Sequence, residues 1–119
     1  MSKILIAEDS TFMRKVLSDI LVKAGFGDLV EAEDGKKALE KFNSEKPDLV
    51  LLDIIMPEMD GIAVLKEIMP KGARVLVVSA VGQDDMIKQA KELGVNGYIV
   101  KPFEETQVIE EVKKILGQQ

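Results

Sequence analysis

Leu49-Val50-Leu51-Leu52-Asp53 is a run of four aliphatic residues that ends on a carboxylate. An apolar run of this length, bounded rather than interrupted by polar residues, is the pattern of a strand covered on both faces, as in a parallel sheet between helices. Four more short runs flank it: Ile4-Leu5-Ile6-Ala7, Leu29-Val30-Glu31-Ala32, Val75-Leu76-Val77-Val78 and Tyr98-Ile99-Val100. The run that contains a charge, Glu31, reads as an edge strand.

The segments between the runs have helical spacing. Phe12, Met13, Val16, Leu17, Ile20, Leu21 and Ala24 share one face of a first helix, with Arg14, Lys15, Ser18, Asp19 and Lys23 on the other. Asp9 or Ser10 can cap its start, and Gly25 can take a left-handed conformation at its end. A second helix starts after Asp34 and buries Ala38, Leu39 and Phe42. A third follows Gly61 and buries Ile62, Leu65 and Ile68 before Pro70. A fourth runs from about Asp84 to Leu93, and a fifth begins near Glu104 and buries Val108, Ile109, Val112 and Leu116. Five strands alternating with five helices predict an α/β fold with a doubly wound parallel sheet, since parallel neighbours need right-handed crossovers. The strand order can be flavodoxin-like, 2-1-3-4-5, or Rossmann-type; five strands in a short chain favour the first. With 119 residues and no internal repeat or linker, one domain over 1–119 is expected.

Composition narrows the chemistry. There is no cysteine and no histidine, so disulfides, thiolate metal sites and imidazole bases, nucleophiles and ligands all drop out. Carboxylates, hydroxyls, lysines or a bound metal remain. A formal net charge of −5 argues against nonspecific nucleic-acid binding, which needs clustered Lys and Arg. No apolar run nears the roughly 20 residues of a membrane helix, and Met1-Ser2-Lys3 leads into the first run without an export-signal pattern. A cytoplasmic monomer is expected, with no membrane or nucleic-acid partner.

In such sheets the ligand site lies beyond the carboxyl ends of the strands. In the flavodoxin-like order, Glu8 and Asp9, then Asp53, Ser79 and Lys101 would leave neighbouring strand ends and face one cleft. Three carboxylates together shift their pKa values upward or recruit a cation, and donors that are all oxygen favour Mg²⁺, with Mn²⁺ as second choice. A lysine and a hydroxyl beside them could hold phosphoryl oxygens. Asp53 then becomes a candidate nucleophile that forms an acyl phosphate. Singly, each residue has an ordinary explanation: Asp53 as a turn residue, Glu8-Asp9 as a helix cap, Ser79 as a turn hydroxyl, Lys101 as a solvated lysine. Their coincidence at four strand ends is what points to a phosphoryl site.

The chain is similar to the response-regulator receiver family over essentially its whole length. The resemblance rests on Ile4-Leu5-Ile6-Ala7-Glu8-Asp9-Ser10, on Leu52-Asp53-Ile54-Ile55-Met56-Pro57-Glu58-Met59-Asp60-Gly61, on Val78-Ser79-Ala80 and on Val100-Lys101-Pro102-Phe103. It implies phosphorylation on Asp53. It also implies Mg²⁺ held by Glu8, Asp9, Asp53 and the backbone carbonyl of Ile55, with the longer Glu8 acting through a metal-bound water. Ser79 matches the switch hydroxyl, Lys101 the phosphate-binding lysine and Tyr98 the aromatic switch position, and the Lys101-Pro102 bond is expected to be cis. Ser10-Thr11-Phe12-Met13-Arg14, Ser79-Ala80-Val81-Gly82-Gln83 and Gly97-Tyr98-Ile99-Val100-Lys101-Pro102-Phe103 resemble the chemotaxis branch of the family, particularly its non-enteric members. That likeness implies a CheA-like histidine kinase as phosphodonor and a flagellar or archaellar motor-switch or adaptor protein as target. Binding would use the fourth helix, the fifth strand and the fifth helix, around Met86, Lys88, Gln89, Lys91 and Tyr98.

Other functions fit less well. A phosphohydrolase with an aspartyl nucleophile wants a second acid two residues on, where this chain has Ile55. A nucleotide or flavin binder wants a glycine-rich loop after the first strand, where Glu8-Asp9-Ser10 would repel phosphates. A phosphorelay intermediate shares the core motifs, and the chemotaxis-like flanks weigh against it. Ile55 and Val81 flank the path of the hydrolytic water in the family. Both are apolar here, so slow self-dephosphorylation is expected of a switch that is not a turnover enzyme.

Overall fold

The computed structural model describes residues 2–80 and 84–117. Strands β1 (Lys3–Ala7), β2 (Asp28–Ala32), β3 (Leu49–Leu52), β4 (Val75–Ser79) and β5 (Gly97–Val100) form one parallel sheet in the order β2-β1-β3-β4-β5. This is the flavodoxin-like order. Helices α1 (Thr11–Lys23), α2 (Gly35–Glu45), α3 (Gly61–Ile68), α4 (Asp84–Glu92) and α5 (Glu105–Ile115) make the crossovers.

Successive strand residues point to opposite faces, so each apolar run feeds two cores at once. Leu5, Ala7, Val50, Leu52, Val75 and Val77 pack with Ala38, Ile62, Leu65, Ile68 and Ala90 from α2, α3 and α4. Ile4, Ile6, Leu49, Leu51, Leu76, Val78 and Ile99 pack with Leu17, Ile20, Leu21, Val108 and Val112 from α1 and α5. The central strands therefore carry polar residues only at their ends, Lys3 and Ser79, while edge strand β2 exposes Glu31. Side chains start the helices where expected. Ser10 caps α1 by accepting from the Met13 N–H, Asp34 caps α2 through Lys37 and Asp60 caps α3 through Ala63. Gly25, just past α1, has φ +96. A short 3₁₀ turn over Met69–Lys71 carries Pro70 after α3.

Two residues of α1 depart from the expected pattern. Phe12 is 74% exposed. It lies in the first turn of the helix, where the sheet has already ended. Arg14, expected on the solvated face, has a side chain only 13% exposed, bonded across the start of the helix. Val81, Gly82 and Gln83 lie outside the described residues.

Gly61 allows the loop after β3 to fold back on itself. Its N–H donates to the Ile54 carbonyl at 2.7 Å, and a Cβ there would lie 2.5 Å from Ile54 Cα and 2.7 Å from the Asp53 carbonyl oxygen. Gly61→Ala must push backbone against backbone and is expected to cost about 3 kcal/mol. Phe12→Ala, at an exposed site, should stay within about 0.5 kcal/mol of the parent. Urea denaturation of the two variants checks both values.

Candidate functional site

The register brings the strand ends level. Ala7 pairs with both Ala32 and Leu52, and Ser79 pairs with Val100. The ladder then continues one residue further, exactly where the polar side chains begin. Glu8 N–H donates to Ala32 O at 3.0 Å, Asp53 N–H to Ala7 O at 3.0 Å and Lys101 N–H to Ser79 O at 2.9 Å. Each functional side chain thus leaves a backbone that is still held by the sheet. That fixes its direction more firmly than a free loop would.

The side chains converge. Asp53 is 6% exposed and Glu8 2%, and Ser79 is fully buried. The Ser79 hydroxyl donates to Asp53 Oδ1 at 2.8 Å, the Ile55 N–H donates to the same oxygen at 3.0 Å, and Lys101 Nζ donates to Asp53 Oδ2 at 3.1 Å. Lys101 also bonds Glu8 Oε1, while Glu8 Oε2 accepts from the Ser10 N–H at 3.1 Å. Exposed Asp9 completes an acidic group in which one oxygen each of Glu8, Asp9 and Asp53 lies within 4.8 Å of the others. The Lys101-Pro102 bond is cis.

The electrostatics follow from burial. Burial disfavours the charged form of Glu8 and outweighs its bonds to Lys101 and Ser10, so its carboxyl is pushed up to about 7. Burial works to lower the Lys101 ammonium, but the bond to Glu8 and the charge of Asp53 hold it above its ordinary value. Tyr98, half-buried on β5, has its phenol raised by burial first and by the Asp53 charge second.

The donor set fits a hard divalent cation. It is all oxygen, and Asp9 is exposed to solvent, which suits an ion that keeps part of its hydration shell. Both oxygens of Glu8 and of Asp53 already have protein partners, so exposed Asp9 is the most open of the three for direct contact.

All the expected site residues that the structure describes are at this end of the sheet, except those of the suggested partner surface. On α4, Lys88, Gln89 and Lys91 are exposed, but Met86 is half-buried and packs against the core beneath the helix. Sequence reasoning missed Arg14, whose guanidinium bonds the Glu8 carbonyl at 2.7 Å. The available signal was its position in the first turn of the helix that follows the acidic pair.

Residues 4–113 match the family described as the response regulator receiver domain. The chain is 48% identical over 117 residues to the chemotaxis protein CheY of Bacillus subtilis (strain 168), covering 97% of this chain and 98% of that one. It is 40% identical over 116 residues to the sporulation initiation phosphotransferase F of the same organism, covering 96% and 93%. Among solved structures it superposes on a chain of the CheX-CheY-BeF3-Mg²⁺ complex from Borrelia burgdorferi, with a TM-score of 0.91 and 37% identity over 97% of this chain and 89% of that one. With an acidic group beside a half-buried lysine and a buried hydroxyl at the ends of a 2-1-3-4-5 sheet, and with these matches over nearly its full length, the chain belongs to the response regulator receiver domain family.

Proposed function

We propose that the chain is a phospho-switch for chemotaxis, phosphorylated on Asp53 by a CheA-like histidine kinase in the presence of Mg²⁺. The observation that carries this is the set of partners on the Asp53 carboxylate: a hydroxyl and an amide on one oxygen and an ammonium on the other. An Asp53 oxygen attacks phosphorus, the bond from phosphorus to the imidazole nitrogen of the donor breaks, and its electron pair leaves with that nitrogen. Ser79 and Lys101 are placed to hold two of the transferred oxygens. Asp9, Asp53 and the Ile55 carbonyl would hold Mg²⁺, with Glu8 acting through water, and the ion would supply positive charge against the oxygens gathered there.

The readout lies at β5, which carries half-buried Tyr98, and at α4, which exposes Lys88, Gln89 and Lys91. A motor-switch or adaptor protein is the target in this reading, and the cytoplasm is the compartment. No helix among the described residues is long and apolar enough to cross a membrane. The likeness to CheY supports the chemotaxis assignment. The likeness to a sporulation phosphotransferase supports a second reading, in which the chain passes its phosphoryl group onward in a phosphorelay. Target binding that strengthens with beryllofluoride separates the first from the second.

Incubation with acetyl phosphate and Mg²⁺, or with beryllofluoride, should shift the amide NMR signals of the strand ends in the parent and not in Asp53→Asn. An equal response in the variant refutes the assignment. The Ile55 side chain, 58% exposed beside Asp53, offers no polar atom to orient a hydrolytic water. Ile55→Asn combined with Val81→Glu is expected to shorten the phosphoryl half-life about tenfold. An unchanged half-life excludes that role.

The buried Glu8 also gives a pH signature. Its carboxyl ionises near 7 in the fold against 4.5 ordinarily, so between those values the metal-free fold binds more proton than the unfolded chain. The contribution of Glu8 to stability therefore falls as pH rises through that window. Glu8→Gln should remove this slope, seen as the difference between parent and variant urea midpoints at pH 5, 6 and 7 without Mg²⁺.

A further inference from the structure

We infer that Arg14 is a positioning residue that holds the acidic pair in its cation-binding arrangement from behind. This rests on the reading of Glu8, Asp9 and Asp53 as a Mg²⁺ site. One guanidinium makes four contacts at the start of α1. Nη1 donates to the carbonyl oxygens of Glu8 at 2.7 Å and of Asp9 at 3.3 Å, and Nη2 donates to Thr11 Oγ1 at 3.3 Å. Nε donates to Glu31 Oε1 at 3.2 Å. The carbonyls it grips belong to the two residues whose carboxylates enter the acidic group.

The geometry leaves little slack in that backbone. Glu8 is held on its N–H side by Ala32 of β2 and on its carbonyl side by Arg14, while its side chain accepts from the Ser10 N–H. Arg14 in turn is oriented by Glu31, which lies one residue before Ala32 on the same strand. The clip therefore ties the loop carrying the acidic pair to the edge strand beside it. With the side chain only 13% exposed, the positive charge is poorly screened and stands close to a cluster of negative ones. Only arginine suits this place. Its planar fork reaches the carbonyls, the hydroxyl and the carboxylate in different directions, whereas a lysine ammonium is one point donor.

Residues that orient metal ligands from outside commonly change affinity by tenfold or more when removed. Mg²⁺ titration followed by NMR should show binding weakened about tenfold in Arg14→Met and about threefold in Arg14→Lys, which keeps the charge and loses the fork. The Mg²⁺ concentration for half-maximal phosphorylation by acetyl phosphate should rise by the same factors, with excess Mg²⁺ recovering most of the rate. Lys15→Met, which removes an exposed like charge one residue away, should bind Mg²⁺ within about twofold of the parent. If Arg14→Met lowers the urea midpoint but binds Mg²⁺ as the parent does, the clip is structural only and the inference is overturned. If Lys15→Met weakens binding as much as Arg14→Met, net charge explains the effect and the inference is again overturned. Should Arg14→Met not fold, Arg14→Lys decides alone, since parental affinity there refutes a need for the fork. Failure of the parent itself to bind Mg²⁺ would overturn the functional reading as well.

Discussion

The ammonium of Lys101, bonded at once to Glu8 and Asp53, is the interaction on which the site depends. Two carboxylates with less than a tenth of their surface exposed sit at the ends of adjacent strands, and a third stands beside them. Burying a charge is costly unless it is paired and hydrogen-bonded. One cation cannot answer three acids, so the cluster keeps a surplus of negative charge. Burial leaves part of that imbalance on Glu8, raised to about 7. A divalent cation on the open side would answer the rest. In the proposed switch the same lysine would turn toward the transferred phosphoryl group, so the group that balances the resting site would also serve the loaded one.

The sheet makes this arrangement affordable. Its ladder extends through Glu8, Asp53 and Lys101, so the backbone groups next to the buried charges are satisfied before the side chains are counted. The charge problem is thereby confined to the side-chain heads. Glycine serves the same end. Gly61 lets the loop after β3 return within bonding distance of Ile54, and at Gly35 a Cβ would overlap the Met59 carbonyl, so α2 can start directly against that loop.

Much of this was legible in the sequence, and for a definite reason. β1, β3 and β4 are buried on both faces, so their runs are apolar without a break and end abruptly at Glu8, Asp53 and Ser79. A polar residue directly after such a run has few places to go except the carboxyl edge of the sheet. What escaped depends on where elements stop rather than on which face they bury. Helical spacing groups Phe12 with an apolar stripe and Arg14 with a polar one. The first turn of α1 projects past the sheet, so the phenyl ring meets solvent while the guanidinium turns back onto the loop. Met86 shows the converse, because an amphipathic α4 gives no sign of how far its methionine tucks under the helix. The contact of Gly35 with Met59 joins residues far apart in sequence through backbone atoms alone, and no side-chain pattern records it.

In the proposed switch, the position of β5 explains why the response would emerge at Tyr98 and α4 rather than elsewhere. The site draws its phosphoryl-holding groups from β4 and the end of β5, through Ser79 and Lys101, whose backbones are bonded to each other. β1 and β3 each have strand neighbours on both sides, whereas β5 is an edge strand paired only with β4. A strand held along one side yields more readily than one held along two. A new bond made by Ser79 or Lys101 therefore biases the β4–β5 edge before it moves the centre. Tyr98 lies on that edge, half-buried between the core and the surface, where a small change in packing has room to become a change in exposed shape.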